Sequence, residues 1–249
     1  MKKLISSFLI ASDPPHLTYS SHLSYISSLS SRSETHDPAS SYFKALTAIR
    51  DLREVAKKRK HIEVEFVASV LELCELVQNG MWIKVSEALA NTEKELSIME
   101  DPRQTTDIQK VLIVHALVIG ILFYTYVGDS ANAQTRMKKL HDMLDGGALD
   151  AFGTSGIVKV TFSDSETPLE VQVTHPRVIF ALGFLASSVS KRDPVGRKPK
   201  RKLFAHEGTL AVERELRKEV DRQSRSRPLR YVLLIERGSS YLGFAVGCG

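Results

Sequence analysis

Cysteine is scarce: Cys74 and Cys248 are the only two in 249 residues, too few for a disulfide framework and consistent with a reducing compartment. Phosphate-cradling and nucleophile motifs are missing as well. There is no GxxxxGK[ST] loop, no GxGxxG after a strand and no GxSxG elbow, and Gly153, Gly156 and the Gly146-Gly147 pair read as scattered loop glycines. The eight histidines, at 16, 22, 36, 61, 115, 141, 175 and 206, include no pair at helical ligand spacing with a cysteine or carboxylate partner. His115 and Cys74 both lie on apolar helical faces, which predicts a satisfied core histidine and a packed small hydrophobe. Glu72 and Glu75 stand at helical spacing, where a solvated face is the expected reading. The chain is therefore read as a non-enzyme with no catalytic residue, no cofactor and no metal.

Acidic residues are absent between Asp13 and Glu34, and half the residues from Thr18 to Ser33 are serine. Lys2 and Lys3 precede the apolar LISSFLIA, but Asp13, Pro14 and Pro15 follow without a small-x-small cleavage site. Residues 1–37 are read as a disordered serine-rich leader, with a targeting peptide as the alternative.

What is present is repetition. FVASVLELCELVQNG, Phe66 to Gly80, leads into MWIKVSEALANTEKELSIM, and VLIVHALVIGILFYTYVG, Val111 to Gly128, leads into DSANAQTRMKKLHDMLDGG. Each unit is an apolar helical stretch, a glycine turn and a second helix, and a lone pair of this kind cannot bury its apolar face, so neighbours must stack. Helices are expected from Asp37-Pro38 to the cationic run Lys57–Lys60, then over about 62–78, 81–99, 111–127, 129–144, from Pro176, and over about 207–222. In the first, Phe43, Leu46, Ile49, Leu52 and Val55 recur at spacings of three and are assigned to one buried face. Trp82, just after Asn79-Gly80, is expected to fill the wedge within its own helix pair.

Residues 111–127 hold 17 positions without a formal charge, near the lower limit for a membrane span. His115, Gly120 and Thr125 interrupt the run and an amphipathic helix follows directly, so the expectation is a helix buried within the stack and no membrane partner. Periodicity then changes. Ile157, Val160 and Phe162, the polar Ser163–Thr167, and Leu169, Val171 and Val173 predict a β-hairpin near 156–174. Residues 38–190 are thus one helical-repeat domain with an inserted hairpin, 191–206 a basic linker, 207–223 a charged helix and 224–249 an irregular tail. The fold class is mainly α, an α-solenoid of tetratricopeptide-like helical hairpins.

The net charge of +5 is local in origin. Residues 191–230 hold 14 of the 34 Lys and Arg but only 6 of the 29 Asp and Glu, a local +8 that leaves −3 for everything else. Lys191, Arg192, Arg197, Lys198, Lys200, Arg201 and Lys202 form KRDPVGRKPKRK, in which Pro194, Gly196 and Pro199 favour an extended chain. Such a run suits the groove of an import receptor or a phosphate backbone, and a solvated linker is the third reading. No aromatic residue interleaves with it, which disfavours base stacking on single strands.

Two segments, VHALVIGILFYTYVGDSANAQTRMKKLHDMLDGG and VTHPRVIFALGFLASSVSKRDPVGRKPKRK, resemble the cohesin loading factor family, the tetratricopeptide-type subunit of the chromatin cohesin loader. The resemblance covers roughly residues 40 to 220. It implies a nuclear, non-enzymatic helical-repeat scaffold that grips an extended segment of a larger HEAT-repeat loader subunit. Through that complex the scaffold acts on cohesin and chromatin in sister chromatid cohesion, chromosome segregation and the cell cycle, with direct DNA contact left open. The alternative is a general helical-repeat adaptor or DNA-associated nuclear regulator. Two departures stand out: the turn glycines Gly80 and Gly128 are 48 residues apart, longer than the roughly 34 of a regular tetratricopeptide unit, and members of the family are longer than this chain.

Overall fold

The computed structural model describes residues 13–30, 38–98, 105–162, 167–190 and 200–223. They are mainly helical: α1 (Pro15–Ser30), α2 (Pro38–Arg59), α3 (Ile62–Gln78), α4 (Trp82–Glu95), α5 (Asp107–Tyr126), α6 (Ser130–Asp145), a 3₁₀ turn (Ala148–Phe152), β1 (Ile157–Val160), β2 (Leu169–Gln172), α7 (Pro176–Ser190) and α8 (Lys200–Gln223). Two compact units divide at Ile179 and Phe180, inside α7.

In the first unit each helix from α1 to α6 packs on its neighbour in sequence, except that α3 also meets α5. The sharp reversals have one cause. After α3, Gly80 N–H donates to Val77 O at 3.0 Å and Met81 N–H to Leu76 O at 2.9 Å; after α5, Gly128 N–H donates to Thr125 O at 3.2 Å and Asp129 N–H to Tyr124 O at 2.8 Å. Both are Schellman turns, which need a left-handed residue, and Gly80 and Gly128 supply it at φ +65° and +81°. The same bonding closes α2 at Lys60 and α4 at Ser97, at φ 60° and 49°. At the other ends, Thr106 and Gln109 form a reciprocal capping box on α5, and the Asp129 carboxylate accepts from Asn132 N–H at 3.1 Å to start α6.

Helix α5 is the centre of this unit, touched by α3, α4, α6, the 3₁₀ turn and β1. Its Val111, Val114, Ala116, Leu117 and Ile121 are fully buried. By length and composition it would cross a membrane, but most of it is buried inside the fold. The hairpin pairs antiparallel, with Ile157 opposite Gln172 and Val160 opposite Leu169; Val158, Val160, Leu169 and Val171 face inward and Ile157 outward. The turn at 163–166 lies outside the described residues.

Three expectations are corrected. Residues 15–30, read as part of a disordered leader, form α1, because Tyr19, His22, Ile26 and Leu29 recur at spacings of three and four and are buried where α1 packs on α2 and β2. The Tyr19 hydroxyl and His61 Nδ1 share a hydrogen bond of 2.8 Å, and Phe162 packs on both rings. In α2 the buried stripe is Tyr42, Ala45, Leu46, Ile49, Leu52 and Ala56, while Phe43 is 60% exposed. Finally, α8 begins at Lys200, within the expected linker. The other linker residues, 191–199, and the tail 224–249 lie outside the described residues, as do 1–12 and 31–37 of the leader.

The second unit is described through α7 from Phe180 and α8. Phe184 meets Phe180 edge-on at 4.8 Å and Phe204 at 6.1 Å. Gly208 lets α8 approach closely, since a Cβ there would lie 3.1 Å from Leu185 Cδ2.

Candidate protein-interaction site

The basic run is the first place to look. Lys191, Arg192, Arg197 and Lys198 lie outside the described residues; Lys200, Arg201 and Lys202 belong to the first turn of α8, so the backbone there is helical and not extended.

An apolar surface does form where the two glycine turns meet. Trp82 opens α4 directly after the Gly80 turn, and Tyr126 is the last residue of α5 before the Gly128 turn. Their rings stack at 4.7 Å, and Phe123 lies under Trp82 at 6.5 Å. Trp82 therefore bridges one helix pair to the next and does not only fill the wedge of its own. Around it Ile83 is 95% exposed, Tyr126 63% and Val127 51%. Exposed side chains of this size beside two turns are what an apolar protein segment buries against. The sequence signal for them was Ile83, an apolar residue about 140° off the Val85–Leu89 stripe of its own helix.

At the other end of α4 the helices are held by two ionic clamps. Arg53 of α2 reaches Glu72 of α3 at 3.5 Å and Glu95 of α4 at 3.6 Å, with Ser69 bonded to both Arg53 and Glu95. Arg136 of α6 grips Glu93 of α4 with two parallel bonds of 2.6 Å, donates to Asn132 O and Oδ1 at 3.1 Å, and lies 4.1 Å over the Tyr124 ring of α5. Gly120 of α5 makes room for it: a Cβ there would sit 2.9 Å from Arg136 Cδ. These groups are spent on one another and fix the spacing of α4, α5 and α6.

The remaining titratable groups in the interior are structural. His115 Nδ1–H donates to Val111 O at 2.8 Å and Nε2 accepts from the Thr174 hydroxyl at 3.0 Å, the tautomer that this pairing dictates, while its ring stacks on Phe152. Burial pulls its pKa below 6.5 and keeps it neutral. Burial, helped by the Glu75 charge, pushes the Cys74 thiol up to about 12, so it carries no thiolate at neutral pH. Burial likewise raises Tyr19 to about 12. Among the described residues no group of three or more His, Cys, Asp or Glu is placed to hold a metal ion. These groups hold the helices in place around the surface.

Compared with known proteins, the model of one family, described as cohesin loading factor, matches residues 28–243. No curated protein and no solved structure matches.

Proposed function

The chain belongs to the cohesin loading factor family, and from that premise we propose that it is a non-enzymatic helical-repeat scaffold that binds an extended segment of a larger HEAT-repeat loader subunit. The family points to a role in cohesin loading, and hence to action on chromatin in the nucleus. The observation that carries the proposal is the extent of the match, which takes in every helix from α2 to α8 and the last residues of α1. Physical support comes from the two helix–turn–helix units closed by the same turn at Gly80 and Gly128, and from the contact of α3 with α5, as stacked repeats require. In this reading the units form a solenoid, the surface of Trp82, Ile83, Tyr126 and Val127 takes up part of the partner segment, and the basic run Lys191–Lys202 serves nuclear import or a phosphate contact.

Affinity purification from nuclear extract followed by mass spectrometry tests it. A single large HEAT-repeat subunit should co-purify, and an Ile83→Asp, Tyr126→Ser double variant with an unchanged melting temperature should lose at least tenfold of it. Recovery of metabolic enzymes or membrane complexes in its place would refute the scaffold reading. Full recovery with the double variant would keep the scaffold and move the groove elsewhere.

A further inference from the structure

A cleft of about 330 Å³ opens between α1 and α2, which pack on one another. Tyr25 lines it from α1, and Phe43, Lys44, Thr47 and Ala48 line it from α2, where Phe43 with Thr47 and Lys44 with Ala48 each stand one turn apart. Ala48 is buried, and its short side chain leaves depth that a larger residue would fill. Phe43 is 60% exposed, its ring supported by Tyr42 at 5.2 Å and otherwise bare. The buried stripe of α2 does not need it, since Tyr42, Leu46 and Ile49 already form that stripe. Among the described residues no carboxylate pairs with Lys44, whereas Arg50, further along α2, reaches Glu72 at 3.8 Å. Helix α1 contains no acidic residue and α2 none before Asp51, so neither wall supplies Lys44 with a counter-charge.

We propose that this cleft docks an acidic segment of another protein, taking one aromatic or branched aliphatic side chain between Tyr25 and Phe43 and a neighbouring carboxylate against Lys44. The volume lies at the low end of the roughly 300–1,000 Å³ of ligand pockets, which suits one or two side chains of a peptide. The rings supply the binding energy by covering apolar surface, and the cation at the rim sets which charge the cleft accepts. A carboxylate held beside apolar rings meets Lys44 in a lower dielectric than open water, so the pairing counts for more there than on a flat surface. A nucleic-acid strand fits less well. Its phosphates call for several cations along a groove, and Lys44 is the single cation among the described residues that line this one. The cleft shares no lining residue with the Trp82 surface and is independent of the loader reading.

The experiment uses the full chain and fluorescence anisotropy, with a labelled peptide in which one phenylalanine stands between two pairs of glutamates. Two control peptides replace the phenylalanine by alanine or the glutamates by lysines. The acidic peptide should bind about tenfold or more tighter than either control. Lys44→Glu should reverse the preference between the acidic and the basic peptide. Thr47→Trp, at an exposed position on the rim, should fill the cleft and weaken binding about tenfold or more with an unchanged melting temperature, and Phe43→Ser should do the same. The Ile83→Asp, Tyr126→Ser variant should bind the peptide as the native chain does, so failure of this proposal and failure of the loader reading are told apart. No binding up to about 1 mM peptide would overturn the proposal. So would equal binding of the acidic and basic peptides, native affinity in Thr47→Trp, or loss of binding in the Ile83→Asp, Tyr126→Ser variant. Displacement of the acidic peptide by a single-stranded oligonucleotide that itself binds more tightly would make the cleft a nucleic-acid site and would also overturn it.

Discussion

Arg136→Ala removes one side chain and strands another. Arg136 is 5% exposed and holds both oxygens of Glu93, so truncation leaves a carboxylate facing an apolar interior with no counter-charge. Breaking one side of a buried pair costs about 3–5 kcal/mol, and the stacking over Tyr124 is lost with it. For a unit of this size that corresponds to a fall of roughly 6–20 °C in melting temperature. Replacing both partners, Glu93→Leu with Arg136→Met, removes the stranded charge and should cost under about 1 kcal/mol or stabilise. Gly120 supplies a sign test on the same contact. Gly120→Ala in the native background drives a Cβ to 2.9 Å from Arg136 Cδ, costing about 1–3 kcal/mol by overpacking. With Arg136→Ala already present the obstruction is gone, and the same change should gain up to about 1 kcal/mol of helix propensity. Urea denaturation of the four single and double variants measures all of these. The reasoning fails if Arg136→Ala costs less than about 1 kcal/mol, if the double replacement is as costly as the single, or if Gly120→Ala has the same sign in both backgrounds.

Trp82 is half-buried, so Trp82→Ala should cost about 1–3 kcal/mol, less than the 3–5 of a fully buried ring, in the same urea assay; a cost above about 4 would place the ring in the core and remove it from the candidate surface. His115 has a folded pKa below its ordinary 6.5, so between these two values the unfolded chain binds the extra proton and stability falls as pH drops from about 6.5. His22, also lowered by burial, adds to that slope, and His115→Gln should make the decline between pH 7 and 5 shallower, whereas an unchanged decline would show that His115 does not drive it. Replacing Lys198, Lys200, Arg201 and Lys202 with alanine should leave folding intact and reduce nuclear accumulation of a reporter fusion. If location is unchanged but DNA retention falls with a shallower salt dependence, phosphate contact is the better account, and no change in either makes the run a solvated linker.

How far the fold could be read from the sequence depended on whether one residue carried the signal alone. Gly80 and Gly128 announced their turns because a left-handed residue is needed and glycine adopts that conformation freely. Lys60 and Ser97 make the same turn without glycine, and nothing in a lysine or a serine advertises it. The hairpin was visible in the strict alternation from Leu169 to Val173, and its partner strand was found in place with Val158 and Val160 inward. The ionic clamp was not visible, because Glu93 and Arg136 are 43 residues apart and each alone looks like a solvated charge.

The two misread faces have a geometric explanation. A spacing of three residues advances 300° around a helix, so Phe43, Leu46, Ile49, Leu52 and Val55 drift by about 60° at each step and cannot share one face over their whole length. The structure keeps the middle of that series and replaces its ends with Tyr42 and Ala56, leaving Phe43 in solvent. In α1 the error ran the other way. Serine content suggested a leader without structure, but burial needs a stripe and not an average, and Tyr19, His22, Ile26 and Leu29 are that stripe, with serines filling most of the rest of the surface. That stripe is what seats α1 against α2 and β2, and an average over the segment cannot show it.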